Sequence, residues 1–185
     1  MIGESSYWKE DLLRSGVDLR RRQKQRRWAD SSLARVERIL MLGFYSIRKL
    51  IDARRLSDST MARPIRISVY PSTGTRVTLL NASQIEKHYQ LERESHVERS
   101  LLFVCNQVIH SYVFQFELLE SGALSAILFA SDWHRGSGLY RMDMGQVIET
   151  FTRVGKDYPN TMTATYSKEK GDYIVRQEMV EKVSS

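Results

Sequence analysis

Apolar positions in the first third of the chain recur at helical spacing. Trp8, Leu12, Ser15 and Leu19 fall at i, i+4, i+7 and i+11, one narrow stripe. The spacing predicts a helix over about 6–28, with Gly16 its weak point. A second stripe, Leu33, Val36, Leu40, Phe44, Ile47 and Ile51, runs through "DSSLARVERILMLGFYSIRKLIDARRL". Asp30, Ser31 or Ser32 could each cap its start. Residues 39–45 are apolar on every side, so this helix should be contacted from several directions. Gly43 within that run would let another element approach closely.

The period then changes from 3.6 to 2. In "PIRISVYPSTGTRVTLL", Ile65, Ile67 and Val69 alternate with Arg66, Ser68 and Tyr70, and Val77 and Leu79 follow the turn residues "PSTG". The pattern predicts a β-hairpin, with Pro64 and Pro71 bounding an edge strand. Asn81 and Gln84 match a helix-capping pattern and predict a short helix. The charged run "LERESHVER" reads as a connection into a helix over 96–112. Most of the remainder reads as strand. "FQFELLESGALSAILFAS" predicts a hairpin turning at "ESG", "DWHRGSG" a loop and "LYRMD" a further strand. Asp143 and Gln146 should cap a helix carrying Val147, Phe151 and Val154, before a last hairpin formed by "TMTATYS" and "YIVRQEM". No repeat or low-complexity linker divides the chain. The expectation is one α+β domain spanning 1–185. N-terminal helices with a long central helix come first, then antiparallel hairpins flanked by helices, with 1–30 a basic N-terminal helix.

Composition adds little until charge is mapped. No apolar run approaches the roughly 20 residues of a membrane helix, so no membrane partner is expected. The first residues lack the apolar core of a secretion signal. Cys105 is the one cysteine, which excludes an internal disulfide and a cysteine–zinc cluster, and a reducing, cytoplasmic setting follows. Of 28 Lys+Arg and 22 Asp+Glu, residues 14–27 hold seven basic and one acidic, net +6; the other 21 and 21 cancel. Arg20, Arg21, Arg22, Lys24, Arg26 and Arg27 would surround a helix end that cannot be buried on all sides. Phosphates of RNA or DNA, or the carboxylates of an acidic protein partner, would both suit such a surface. The primary expectation is therefore a non-enzymatic binding module that acts through this helix.

Candidate chemistry centres on "FVCNQVIHSYVF". Asn106 and His110 lie four apart, on one face of a helix whose neighbouring positions Leu102, Cys105, Ile109 and Tyr112 are apolar. Such a pair most simply serves structure, each side chain finding a hydrogen-bond partner in the core, remote from any groove. Cys105 in this setting should be a poor nucleophile. "SDWHRGSG" combines Asp132, His134 and Arg135 but supplies at most two metal ligands, so it reads as a surface loop with Trp133 a contact residue. No metal or cofactor site is expected.

The residues "CNQVIH", together with the earlier long helix carrying Arg48, resemble the HEPN families. These are small helical domains of bacterial toxin–antitoxin, abortive-infection and CRISPR-associated proteins, many of them ribonucleases. Their signature runs arginine, a polar residue, three residues, histidine. Asn106 and His110 match it, and Cys105 stands where the family has arginine. The resemblance implies the alternative reading, a metal-independent ribonuclease with Asn106 and His110 in its site and a defence or toxin–antitoxin role. The missing guanidinium would then come from Arg48, if the two helices pack together, or from a second subunit of a homodimer. A structural subunit of a larger assembly is a third reading.

Overall fold

The computed structural model describes residues 3–169 and 171–179. Three helices open the chain: α1 (Ser5–Arg22), α2 (Asp30–Asp52) and α3 (Asp58–Ala62). Strand β1 (Ile65–Pro71), the one-turn α4 (Ile85–His88), β2 (Ser95–Arg99) and α5 (Leu101–Ile109) follow. Then come β3 (Ser111–Leu118), β4 (Leu124–Ser131), β5 (Gly138–Asp143), α6 (Met144–Gly155), β6 (Thr161–Ser167) and β7 (Asp172–Glu178). The protein is α+β. Five strands form an antiparallel sheet in the order β2-β1-β5-β4-β3, and β6 and β7 form a separate ribbon.

The sheet has two covered faces because β4 is apolar at nearly every position. Ile127 and Phe129 join the main core, with Leu12 and Leu19 of α1, Leu40, Phe44 and Ile47 of α2, Val104 and Val108 of α5, and Phe151 and Val154 of α6. Leu128 and Ala130 point the other way, into a smaller core with Tyr70, Val77 and Tyr89. Gly43 does admit a close neighbour: a Cβ there would collide with the Phe151 ring. The stripe of α1 packs on α6 as well as on the central helix α2. Buried Lys9 fastens it, donating from Nζ to the carbonyls of Arg55 and Asp157, and burial holds the Lys9 pKa below its ordinary value. No helix among the described residues is long and apolar enough to cross a membrane.

Several expectations are corrected. Helix α1 stops at Arg22 instead of continuing to Trp28, so Lys24, Arg26 and Arg27 lie in a loop. Tertiary contacts outweigh helix propensity here: the Trp28 indole N–H donates to the Gly122 carbonyl at 2.8 Å, and the Arg26 backbone sits against Gly122 in the β3–β4 turn. Gly16 is no weak point but a buried position facing α6. None of Asp30, Ser31 and Ser32 caps α2, since Ala29 holds the cap position and its carbonyl accepts from Ser32 and Leu33. The hairpin over 64–80 does not form. Strand β1 lies inside the sheet between β2 and β5, and β2 is the charged run read as a connection. An edge strand carrying charged side chains lacks the alternation that marks a half-buried strand. Asn81 does not cap a helix; its Oδ1 accepts from the Thr78 N–H. The helix expected over 96–112 shrinks to α5, because Ser100 caps it and His110 ends it.

Candidate active site

Helices α2 and α5 pack together, and Arg48 lies between them. Its Nη1 donates to Asn106 Oδ1 at 2.7 Å, while its Nε lies 3.0 Å from Asp52 Oδ1, one turn along α2. Asn106 thus has the partner expected of a structural residue. His110 does not. It occupies the C-cap of α5, its side is exposed, and no hydrogen bond reaches its ring among the described residues. The expectation that this imidazole sits in the core, away from any groove, is overturned by the helix ending there.

Strand pairing decides what stands beside it. Ser111 of β3 pairs with Ser131 of β4, and the Asp132 N–H donates to the His110 carbonyl at 3.3 Å. The residues just before β3 and just after β4 therefore meet. This brings the 131–138 loop, with His134, alongside His110.

The state of His134 follows from buried Gln107. The Ser131 backbone N–H can only donate, and it does so to Gln107 Oε1 at 3.1 Å. That fixes the amide, so Gln107 Nε2 donates to His134 Nδ1 at 2.8 Å. The Ser131 hydroxyl lies 3.2 Å from the same nitrogen. With Nδ1 accepting, neutral His134 carries its proton on Nε2. Phe103 meets the His134 ring edge-on, 5.5 Å between centroids.

These residues line one groove of about 800 Å³, whose walls include Arg48, Lys49, Asn106, His110, Trp133 and His134. Its formal charges balance, Arg48 and Lys49 against Asp52 and Asp132, and both carboxylates are already paired, Asp52 with Arg48 and Asp132 with Arg135. Trp133 is 91% exposed. Arg99, at the end of β2, does not line the groove; its guanidinium lies over the Phe103 ring. Cys105 is fully buried and burial pushes its thiol far up, as the sequence implied. Among the described residues no cluster of His, Cys, Asp and Glu could hold a metal.

The basic stretch is less free than its composition suggested. Asp18 draws in Arg21 at 2.6 Å, Arg22 at 3.3 Å and Arg35 at 3.7 Å. Partial burial alone would raise the Asp18 pKa, but the hydrogen bonds from Arg21 and Arg22 outweigh it and hold it below its ordinary value. Arg26 donates to Ser121 Oγ. Arg20, Lys24 and Arg27 are exposed and make no ion pair among the described residues.

No family model, curated protein or solved structure matches this chain.

Sequence reasoning placed Arg48, Asn106 and His110 as candidates but assigned His134 to a surface loop and passed over Gln107. The signal was present. A hairpin turning at "ESG" must bring its two open ends together, and His110 and His134 flank those ends.

Proposed function

We propose that the groove cleaves RNA without a metal, through attack of a ribose 2′-oxygen on the adjacent phosphodiester. The observation that supports it is that one groove is lined by His110, whose imidazole has no hydrogen bond among the described residues, by the Arg48 guanidinium and by a histidine fixed as a donor, His134. Imidazole is the side chain suited to moving a proton near neutral pH, and a pentacoordinate phosphorane needs preorganised donors. His110 accepts the 2′-hydroxyl proton. The 2′-oxygen–phosphorus bond forms as the 5′-oxygen departs and takes a proton from water, leaving a 2′,3′-cyclic phosphate and a 5′-hydroxyl. Arg48 and the His134 Nε2–H donate to the phosphate oxygens as charge develops. Asn106 keeps Arg48 in place. Arg20, Lys24 and Arg27 add weaker contacts to a backbone that reaches the N-terminal segment, in a cytoplasmic setting.

The test is cleavage of a panel of RNA oligonucleotides in EDTA by the whole chain. The expected result is cleavage that His110→Ala abolishes and Arg48→Ala lowers by about 10²–10³, while the melting temperature of His110→Ala stays near that of the unaltered protein. Absence of cleavage across the panel, loss of activity in EDTA, or full activity in His110→Ala would overturn the reading.

A further inference from the structure

Resting on that reading, we infer that Trp133 is a base-stacking platform which restricts the groove to unpaired nucleotides and carries the strand into a second cavity. Trp133 and Asp132 line both the groove and a neighbouring cavity of about 400 Å³, which is also bordered by Ser72, Thr75, Arg76 and Arg135. The indole therefore stands on the ridge between two concavities, nearly all of its surface in water.

The exposure does not come from a slack loop. His134 N–H and Arg135 N–H both donate to the Ser131 carbonyl, at 3.0 and 2.9 Å, and Ser137 and Gly138 donate to the His134 carbonyl at 2.9 and 3.0 Å. Arg135 is clamped beneath by three contacts: its guanidinium lies 3.7 Å from the Tyr112 ring centroid, it pairs with Asp132 at 3.1 Å, and its carbonyl accepts from the Tyr89 hydroxyl at 2.9 Å. A large aromatic ring held out in water on a braced turn between two concavities presents its face to whatever enters them.

The surroundings select the ligand. On the side of the second cavity, Trp133 is bordered mainly by polar and charged residues, Ser72, Thr75, Arg76, Asp132 and Arg135. Arg135 is held against Tyr112 and Asp132, whereas exposed Arg76 makes no ion pair among the described residues and is open to a phosphate. An exposed aromatic face with a free guanidinium, Arg76, on the same cavity matches a single strand, whose bases stack while a phosphate meets the cation. A duplex presents its bases already stacked and cannot use the platform.

The probe is a single-stranded 2′-deoxy oligonucleotide, which lacks the attacking hydroxyl and reports binding without cleavage. The single strand should quench tryptophan emission of the whole chain, and a blunt duplex of the same sequence should not. Trp133→Phe should bind nearly as well but lose the quenching, since Trp8 and Trp28 are partly buried. Trp133→Ala should bind about ten-fold more weakly or worse. Equal affinity for duplex and single strand, or unchanged affinity in Trp133→Ala, overturns the inference. The two readings fail separately. Unaltered single-strand binding by Trp133→Ala removes the platform and leaves cleavage by His110 standing, whereas Trp133-dependent binding by a protein that cleaves no RNA removes the nuclease and leaves the platform.

Discussion

At the scale of single residues, the account turns on which polar side chains have partners. Asn106 and Gln107 are both committed, one to Arg48 and the other to Ser131 and His134. His110 is not, and that freedom suits a group that must exchange a proton. Gln107→Leu should lower stability by about 1–3 kcal/mol, because the Ser131 N–H is left buried and unpaired. It should also lower cleavage, because the His134 tautomer is no longer fixed. Thermal denaturation and initial rates on one preparation check both effects. Cys105 gives a control of opposite sense: with its thiol buried and its pKa raised, an alkylating reagent should leave the native protein unmodified and fully active, as intact mass would show. The i, i+4 spacing marked Asn106 and His110 as a pair, and Arg48 became their candidate companion only through the HEPN resemblance. The role of Gln107 was not, since a glutamine in an apolar run looks the same whether it faces solvent or locks a distant histidine.

Among the elements, close approaches decide the packing. A Cβ at Gly43 would collide with the Phe151 ring, so Gly43→Ala should destabilise by about 1–3 kcal/mol, read from a denaturant midpoint at unchanged slope. Removing residues 1–22 should prevent folding altogether instead of freeing an arm, because Leu12 and Leu19 are fully buried; loss of a cooperative thermal transition is the expected result. Strong periodicity made α2, α6, the β3–β4 hairpin and the β6–β7 ribbon legible. One partner of β1 was hidden, because the turn residues "PSTG" suggested the next segment while its true neighbour on one side, "SHVER", has a single aliphatic residue, Val97, ends in the charges Glu98 and Arg99, and sits at an edge. The end of α1 was hidden for a different reason. It is set by a turn some 95 residues away, which receives Trp28 and Arg26.

For the whole molecule, the N-terminal stretch keeps its net +6, but part of it is held by local contacts. Asp18 engages Arg21 and Arg22, and Ser121 engages Arg26, so the N-terminal contribution to RNA binding falls mainly to Arg20, Lys24 and Arg27. Replacing all three with Gln should flatten the log–log salt dependence of single-strand binding by at most about 2, measured by anisotropy. Acid stability has its own source. Hydrogen bonds from Arg141 to Glu117 hold that carboxyl below its ordinary value of 4.5, so in acid the unfolded chain binds more protons than the folded one. The pair's stabilisation is complete above about 4.5 and is lost as pH falls through the lower folded value; Glu117→Gln should lack that component of the acid-side decline. Attack by a ribose 2′-oxygen can be read from one substrate: a DNA strand containing a single ribonucleotide, incubated with the protein in EDTA and resolved by mass. The account predicts one cut, immediately 3′ of the ribose, leaving a 2′,3′-cyclic phosphate, and no cut with His110→Ala. An uncut strand, cuts at deoxyribose positions, or the same cut made by His110→Ala would contradict it.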